Sequence, residues 1–156
     1  MEHIIYSEEN PVPTWTKLLF VLIIAVFPPI IFLQLLSGVF IPKLIILGFA
    51  LDAFFIAIYF NFRKLVVKVS EDELTVSFGF IKKKIPIKDI IMAKTTSAKL
   101  GIYGGNGIRL GGDGSLAFIT NFGDAVKLTR TSSRPFVFST NNPDKLVDVI
   151  SFLKTT

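Results

Sequence analysis

Hydrophobic and polar positions along this chain follow two regimes that meet near residue 61. Before it lie two apolar runs. Residues 18–36 read LLFVLIIAVFPPIIFLQLL without a charge, and residues 44–60 read LIILGFALDAFFIAIYF with Asp52 as their one charged group. A membrane-crossing helix needs about 20 mainly apolar residues, with a range of roughly 17 to 25, so each run is long enough to span. Residues 37–43 between them suit a tight connection. The spacing predicts a two-helix transmembrane hairpin over residues 17–60, with both chain ends on one side of the membrane.

After the hairpin the period changes to two. Leu65, Val67 and Val69 alternate with Val66 and Lys68, and Leu74, Val76 and Phe78 alternate with Thr75 and Ser77. The turn at residues 70–73 makes these a hairpin. A turn at Gly79 and Phe80 leads to a third strand, on which Ile81, Lys83, Ile85 and Ile87 share one face and Lys82 and Lys84 the other. The pattern fades over residues 88–99, where only 89–93 reads as a short strand. In the glycine-dense residues 101–114, GIYGGNGIRLGGDG, only 108–110 looks extended. Residues 116–120, 125–129 and 135–139 are better strands, parted by good turn chemistry. At the end, Asn142 reads as an N-cap, Pro143 as N1 and Asp144 as a first-turn acid. Leu146, Val149, Ile150 and Leu153 follow as a helical apolar stripe. Seven or eight short strands and one amphipathic helix predict a small barrel or sandwich over residues 61–156.

Residues 1–16 are expected to be a solvated leader ending in the interface anchor Trp15. Within the first run, Pro28 and Pro29 each remove a backbone donor, which leaves the carbonyls of Ile24 and Ala25 without helical partners and predicts a kink. Counted from the turn, Asp52 lies at a depth similar to Pro28. In its neutral form it could donate to a freed carbonyl and staple the kink. Gln34, the other intramembrane polar group, lies nearer the turn.

Charge adds an orientation. Of the formal net +5, residues 61–156 carry +7 and residues 1–60 carry −2. Lys17 before the first run, and Arg63, Lys64 and Lys68 after the second, outweigh the single Lys43 of the turn. Because Lys and Arg near membrane helices stay cytoplasmic, both termini and the β-rich domain are expected in the cytoplasm, below the inner membrane. The absence of cysteine excludes disulfides and thiolate chemistry.

Taken together, the membrane hairpin, the doublet LVVKVSEDELTVSFG, the stretch IKKKIPIKDI, the segments GNGIRL and AFITNFGDAVKLT, and the closing RPFVFSTNNPDKLVDVISFLK resemble the bacterial pleckstrin-homology-like, or membrane-flanked, domains. The resemblance covers most of residues 62–154. It implies a seven-stranded barrel with a C-terminal helix plugging one open end, acting in binding or assembly rather than catalysis. The basic first loop of the phosphoinositide-reading relatives is not matched, since residues 70–73 are acidic here.

Candidate chemistry is sparse. Lys82, Lys83, Lys84 and nearby Lys88 form the densest basic run and are the candidates for anionic lipid headgroups; edge lysines against strand pairing are the plainer alternative. Arg109, Arg130 and Arg134 are candidates for one anion site, since guanidinium groups can hold a phosphate or carboxylate in bidentate fashion. Residues 112–117, GDGSLA, fit a dinucleotide fingerprint, but a strand rather than a helix follows, so turn glycines are the expectation. His3 is the only histidine, which leaves no triad or zinc site to build, and no metal, cofactor or catalytic set is expected. Diffuse charge without a recognition helix disfavours nucleic acid. The expected function is a membrane-anchored, non-enzymatic module that contacts lipid headgroups or a protein partner, possible homo-oligomers included. The rival is an accessory subunit of a larger membrane complex or transporter, with Asp52 as its packing element.

Overall fold

The computed structural model describes residues 3–38, 41–131 and 133–155; Val39 and Phe40 of the expected helical turn and Ser132 of the expected 130–134 turn lie outside them. The chain divides into a helical unit, residues 13–63, and a β-rich unit made of residues 1–12 and 64–156.

In the helical unit the first apolar run is broken where the prolines require it. Helix α1 (Thr14–Ile24) and helix α2 (Phe27–Ser37) are separated by a turn at Ala25 and Val26, whose own amides bond back to Val21 and Ile23. Pro28 and Pro29 cannot donate to the carbonyls of Ile24 and Ala25, so the break falls one turn before them. Gly38 ends α2 at φ 70°, a left-handed cap that glycine adopts without steric cost. Helix α3 (Pro42–Phe62) runs unbroken and packs on both others. At Gly48 a Cβ would lie 3.3 Å from Ile31 Cδ1, so the missing side chain admits the α2 face closely. Phe20 and Tyr59 meet with ring centroids 5.6 Å apart. Both helical stretches are long and apolar enough to cross a membrane. Their apolar side chains face outward: Leu22, Leu33 and Ile46 are 66%, 64% and 69% exposed. That much apolar surface is out of place in water.

The β-rich unit has two sheets. Strands β1 (Ile4–Pro11), β2 (Lys64–Ser70), β3 (Glu73–Phe78) and β4 (Ile81–Pro86) form an antiparallel sheet in that order. The expected solvated leader is thus a strand: Ser7 faces Lys68 and Pro11 faces Lys64 across the ladder. Tyr6, Asn10 and Val12 are buried. Asn10 Nδ2 donates to the Ser139 carbonyl at 3.3 Å and so ties the leader to the second sheet. Burial, and then the hydrogen bond to Glu8 at 2.7 Å, push the Tyr6 phenol up to about 12. The helical unit is therefore an insertion between two paired strands. Only Val12 and Pro13 separate β1 from α1, and only Arg63 separates α3 from β2.

The β2–β3 hairpin follows the expected alternation, with Leu65, Val67, Val69, Leu74 and Val76 fully buried. The β3–β4 pairing runs to Glu73 and Pro86, the Ile87 amide adds a last bond to the Asp72 carbonyl at 2.9 Å, and the chain then turns through a 3₁₀ segment, Ile87–Asp89, into the second sheet. That sheet has five strands, ordered β5 (Ile90–Ala98), β8 (Gly123–Arg130), β9 (Phe136–Ser139), β7 (Leu116–Ile119) and β6 (Gly107–Leu110), with β7 parallel to β9 and the other pairs antiparallel. Strand β5 is nine residues long, where the fading pattern had suggested a short piece. Among the described residues neither sheet closes on itself, so the expected barrel is instead two open sheets.

The sheets are joined by aromatic packing. Phe78 of β3 meets Phe118 of β7 at 5.6 Å, Phe118 meets Phe136 at 5.2 Å, and Phe136 meets Phe138 at 5.8 Å. Helix α5 (Pro143–Thr155) packs on β5, β8 and the 3₁₀ segment. It buries Leu146 and Ile150 and half-buries Val149 and Leu153, the stripe its spacing predicts. Strand β9 is buried on both faces. Its second face is covered by a smaller cluster in which Ala98, Tyr103, Ala117, Ile119, Ala125 and Val137 pack together.

Candidate functional site

The four candidate headgroup lysines are separated rather than gathered. Lys82 and Lys84 project from the outer face of the first sheet, beside Lys68, Glu9 and Glu73. Lys84 is spent on Glu73, Nζ to Oε1 2.5 Å. Lys88 lies at the far end of the sheet, beside the acidic turn of Glu71, Asp72 and Glu73 and close to Lys154. Lys83 lies on the opposite face of β4 and lines a cavity of about 320 Å³ with Arg130, Arg134, Ser133, Leu116 and Phe136. The alternation puts Lys83 on that face, but its neighbours there come from β7 and from the β8–β9 connection, far along the chain.

The three candidate arginines split as well. Arg130 and Arg134 share this cavity, whereas Arg109 stands exposed on the edge strand β6 with its Nε on the Asn106 carbonyl at 3.0 Å. The three arginines are therefore not gathered: Arg130 and Arg134 line the cavity with Lys83, and Arg109 lies apart. Arg130 is held by Asp89, Nε at 3.0 Å and a terminal nitrogen at 2.8 Å, both on Oδ2. Its side chain is 8% exposed. The Asp89 carbonyl also accepts the Thr131 amide at 3.0 Å, which pins the end of β8 to the 3₁₀ segment.

The remaining candidates have structural surroundings. Lys64 bonds Glu9 at 2.7 Å, Arg63 lies 5.3 Å over the Phe60 ring, Lys17 is half-buried on α1 and Lys68 is exposed on β2. In the helical unit Asp52 Oδ1 and Gln34 Oε1 are both buried without a hydrogen-bond partner. The expected staple between Asp52 and a carbonyl freed by the prolines is thus not formed at Oδ1.

The glycine-dense segment supplies a lid for the second sheet, not a phosphate loop. A short helix α4 (Leu100–Tyr103) and the following turns bring Tyr103 OH to 3.2 Å from Ser115 Oγ. Ser115 Oγ donates to Asp113 Oδ1 at 2.5 Å, and Lys127 Nζ from β8 donates to Oδ2 at 2.6 Å. A Cβ on Gly111 would lie 2.5 Å from Asp113 Oδ1 and 2.7 Å from Tyr103 Cε1, so only glycine lets the backbone pass. The Lys127 bond, and then the Ser115 hydroxyl, pull the Asp113 carboxyl from its ordinary 3.8 to about 2. A depressed carboxyl stabilises the fold above its unfolded value and loses that contribution as pH falls through its folded value. Asp113→Asn is therefore expected to unfold more readily than the parent at neutral pH, with the gap closing between about pH 4 and pH 2. Chemical-denaturation midpoints of both proteins across that range check it; a gap that does not vary with pH refutes it.

Among the described residues no three His, Cys, Asp or Glu side chains gather as a metal site. No family model, curated protein or solved structure matches this chain.

Proposed function

We propose that this protein is a membrane-anchored binding module of the pleckstrin-homology-like kind, non-enzymatic, multi-pass, with both termini and the β-rich unit on the cytoplasmic face of the inner membrane. One observation carries the reading. The helical insertion leaves and re-enters the first sheet at Pro11 and Lys64, which are paired neighbours. Both membrane-crossing stretches are thus tied to one end of one sheet, with one or two residues of linker at each join.

That end of the sheet has the composition of an interface. The register Leu65↔Phe78 and Phe78↔Ile81 puts the β3–β4 turn at the same end as Lys64. Phe80 at the turn is 95% exposed and Ile81 41%, and Lys64 and Lys82 flank them. An exposed aromatic beside lysines suits the boundary between acyl chains and anionic headgroups, where each lysine contributes about 1 kcal/mol. Of the four candidate lysines, Lys82 is the one at this end. The two-sheet arrangement with a C-terminal helix supports the pleckstrin-homology-like likeness at the level of layers.

The chain has no cysteine, so single labels can be placed freely. A nitroxide at Phe80→Cys, in the full chain reconstituted into phosphatidylcholine nanodiscs with phosphatidylserine, is expected to favour collisions with lipid-soluble oxygen over a water-soluble nickel chelate. A label at Asp72→Cys, at the other end of the sheet, is expected to favour the chelate. Equal aqueous access at both positions would end this reading.

A further inference from the structure

The cavity shared by Lys83, Arg130 and Arg134 is assembled from three separate stretches: the middle of β4, the start of β7, and the connection from the end of β8 to the start of β9. Its charge is unbalanced. Asp89 is committed to Arg130, while Lys83 and Arg134 have no ion-pair partner among the described residues. Three cations therefore line a small volume whose other lining includes Leu116 and the buried Phe136, and the one carboxylate that reaches them is already paired with Arg130. Like charges beside an apolar wall repel one another more strongly than in bulk water. Lys83 makes the point sharply, since it occupies the face of β4 on which Ile85, two residues on, is fully buried. An apolar side chain at this position would pack without that cost.

Arg130 gives the site its geometry. Asp89 takes its Nε and one terminal nitrogen, which fixes the plane of the guanidinium and leaves the other terminal nitrogen for a ligand. A buried arginine oriented by a carboxylate loses little freedom on binding, and planar guanidinium donors match the oxygens of a tetrahedral anion. We infer that this cavity is an oxyanion site for a phosphate or phosphomonoester group. Arg130 supplies the terminal nitrogen that Asp89 leaves, Arg134 a guanidinium fork, Lys83 a point charge, Ser133 a hydroxyl, and Leu116 with Phe136 an apolar wall for the remainder of the ligand. The same chemistry describes a soluble phosphate ester and the headgroup of phosphatidic acid. The inference is independent of the membrane-surface reading, because Lys64, Phe80 and Lys82 do not line the cavity.

The test uses the full chain and its thermal unfolding midpoint, first in detergent with inorganic phosphate against chloride at matched ionic strength. It is then repeated in phosphatidylcholine nanodiscs with and without phosphatidic acid. A saturable rise of a few degrees is expected, as for any ligand that binds the folded state alone. A rise with inorganic phosphate identifies the soluble anion; a rise confined to phosphatidic acid identifies the headgroup. Lys83→Gln/Arg134→Gln leaves the Arg130–Asp89 pair intact and is expected to weaken the response about tenfold or more, the loss of at least one charge-assisted contact. Lys99→Gln, an exposed lysine that does not line the cavity, is expected to change nothing. Should the double variant lose its fold, Arg134→Gln alone serves, since this side chain is exposed in a turn. No saturable response to either probe, or an undiminished response in the variant, overturns the site.

Discussion

Deletion of residues 3–11 is expected to unfold the β-rich unit, where loss of a solvated leader would leave it intact. Strand β1 pairs with β2 from Ile4 to Pro11 and buries Tyr6, whose transfer from water contributes about 2 kcal/mol. Asn10 adds the bond to the Ser139 carbonyl, a link between the two sheets worth about 1 kcal/mol net. Adding the backbone ladder brings the loss to several kcal/mol, against a total of about 5 to 15 kcal/mol for an ordinary domain. Deletion also bares the edge of β2, a template for pairing between chains. Limited proteolysis and amide exchange of residues 65–70 in the detergent-solubilised full chain and the deletion variant measure this. Unchanged protection of those amides would show β1 to be dispensable.

The second large effect is at Phe118, the ring that joins the sheets. Phe118→Ala is expected to cost about 3 to 5 kcal/mol, the range for a buried aromatic truncated to alanine. It also separates Phe78 from Phe136, two ring contacts that add roughly 0.5 to 1.5 kcal/mol each beyond their buried area. Phe80→Ala is the informative contrast, since a side chain 95% exposed should move stability by no more than about 0.5 kcal/mol. Denaturation of the two variants side by side decides whether the inter-sheet aromatic chain holds the unit together. Equal midpoints would refute it.

How far each element could be read from the chain depended on whether its cause is local. The β2–β3 hairpin was legible because Leu65 to Phe78 alternate strictly around a polar turn. The C-terminal helix was legible because its stripe repeats at helical spacing behind a Pro143 start. Strand β1 was not. Its stretch IIYSEENP ends in polar residues, and its partner is reached only after the whole helical insertion. Strand β5 was underread because its residues 91–97 bury little, so no alternation marks them. The basic run 82–84 was legible as charge but not as a site, since alternate residues of a strand face opposite ways and only Lys83 meets the arginines. The glycine-dense segment offered turns in the sequence; its role as a cover for the second sheet rests on Tyr103, Ser115, Asp113 and Lys127 meeting in space.

By itself, the amino-acid sequence determined the two helical stretches apolar enough for a membrane, the break one turn before Pro28 and Pro29, the strand periodicity after residue 61 and the closing helix. Each of these follows from hydrophobic spacing or missing donors within a few residues. Tertiary structure alone decided that the leader is a strand, that the sheets stay open, and that Lys83 joins Arg130 and Arg134 while Arg109 stays apart. Those outcomes depend on which distant backbones pair and which faces they bury, and a one-residue change of register would send each side chain to the other face.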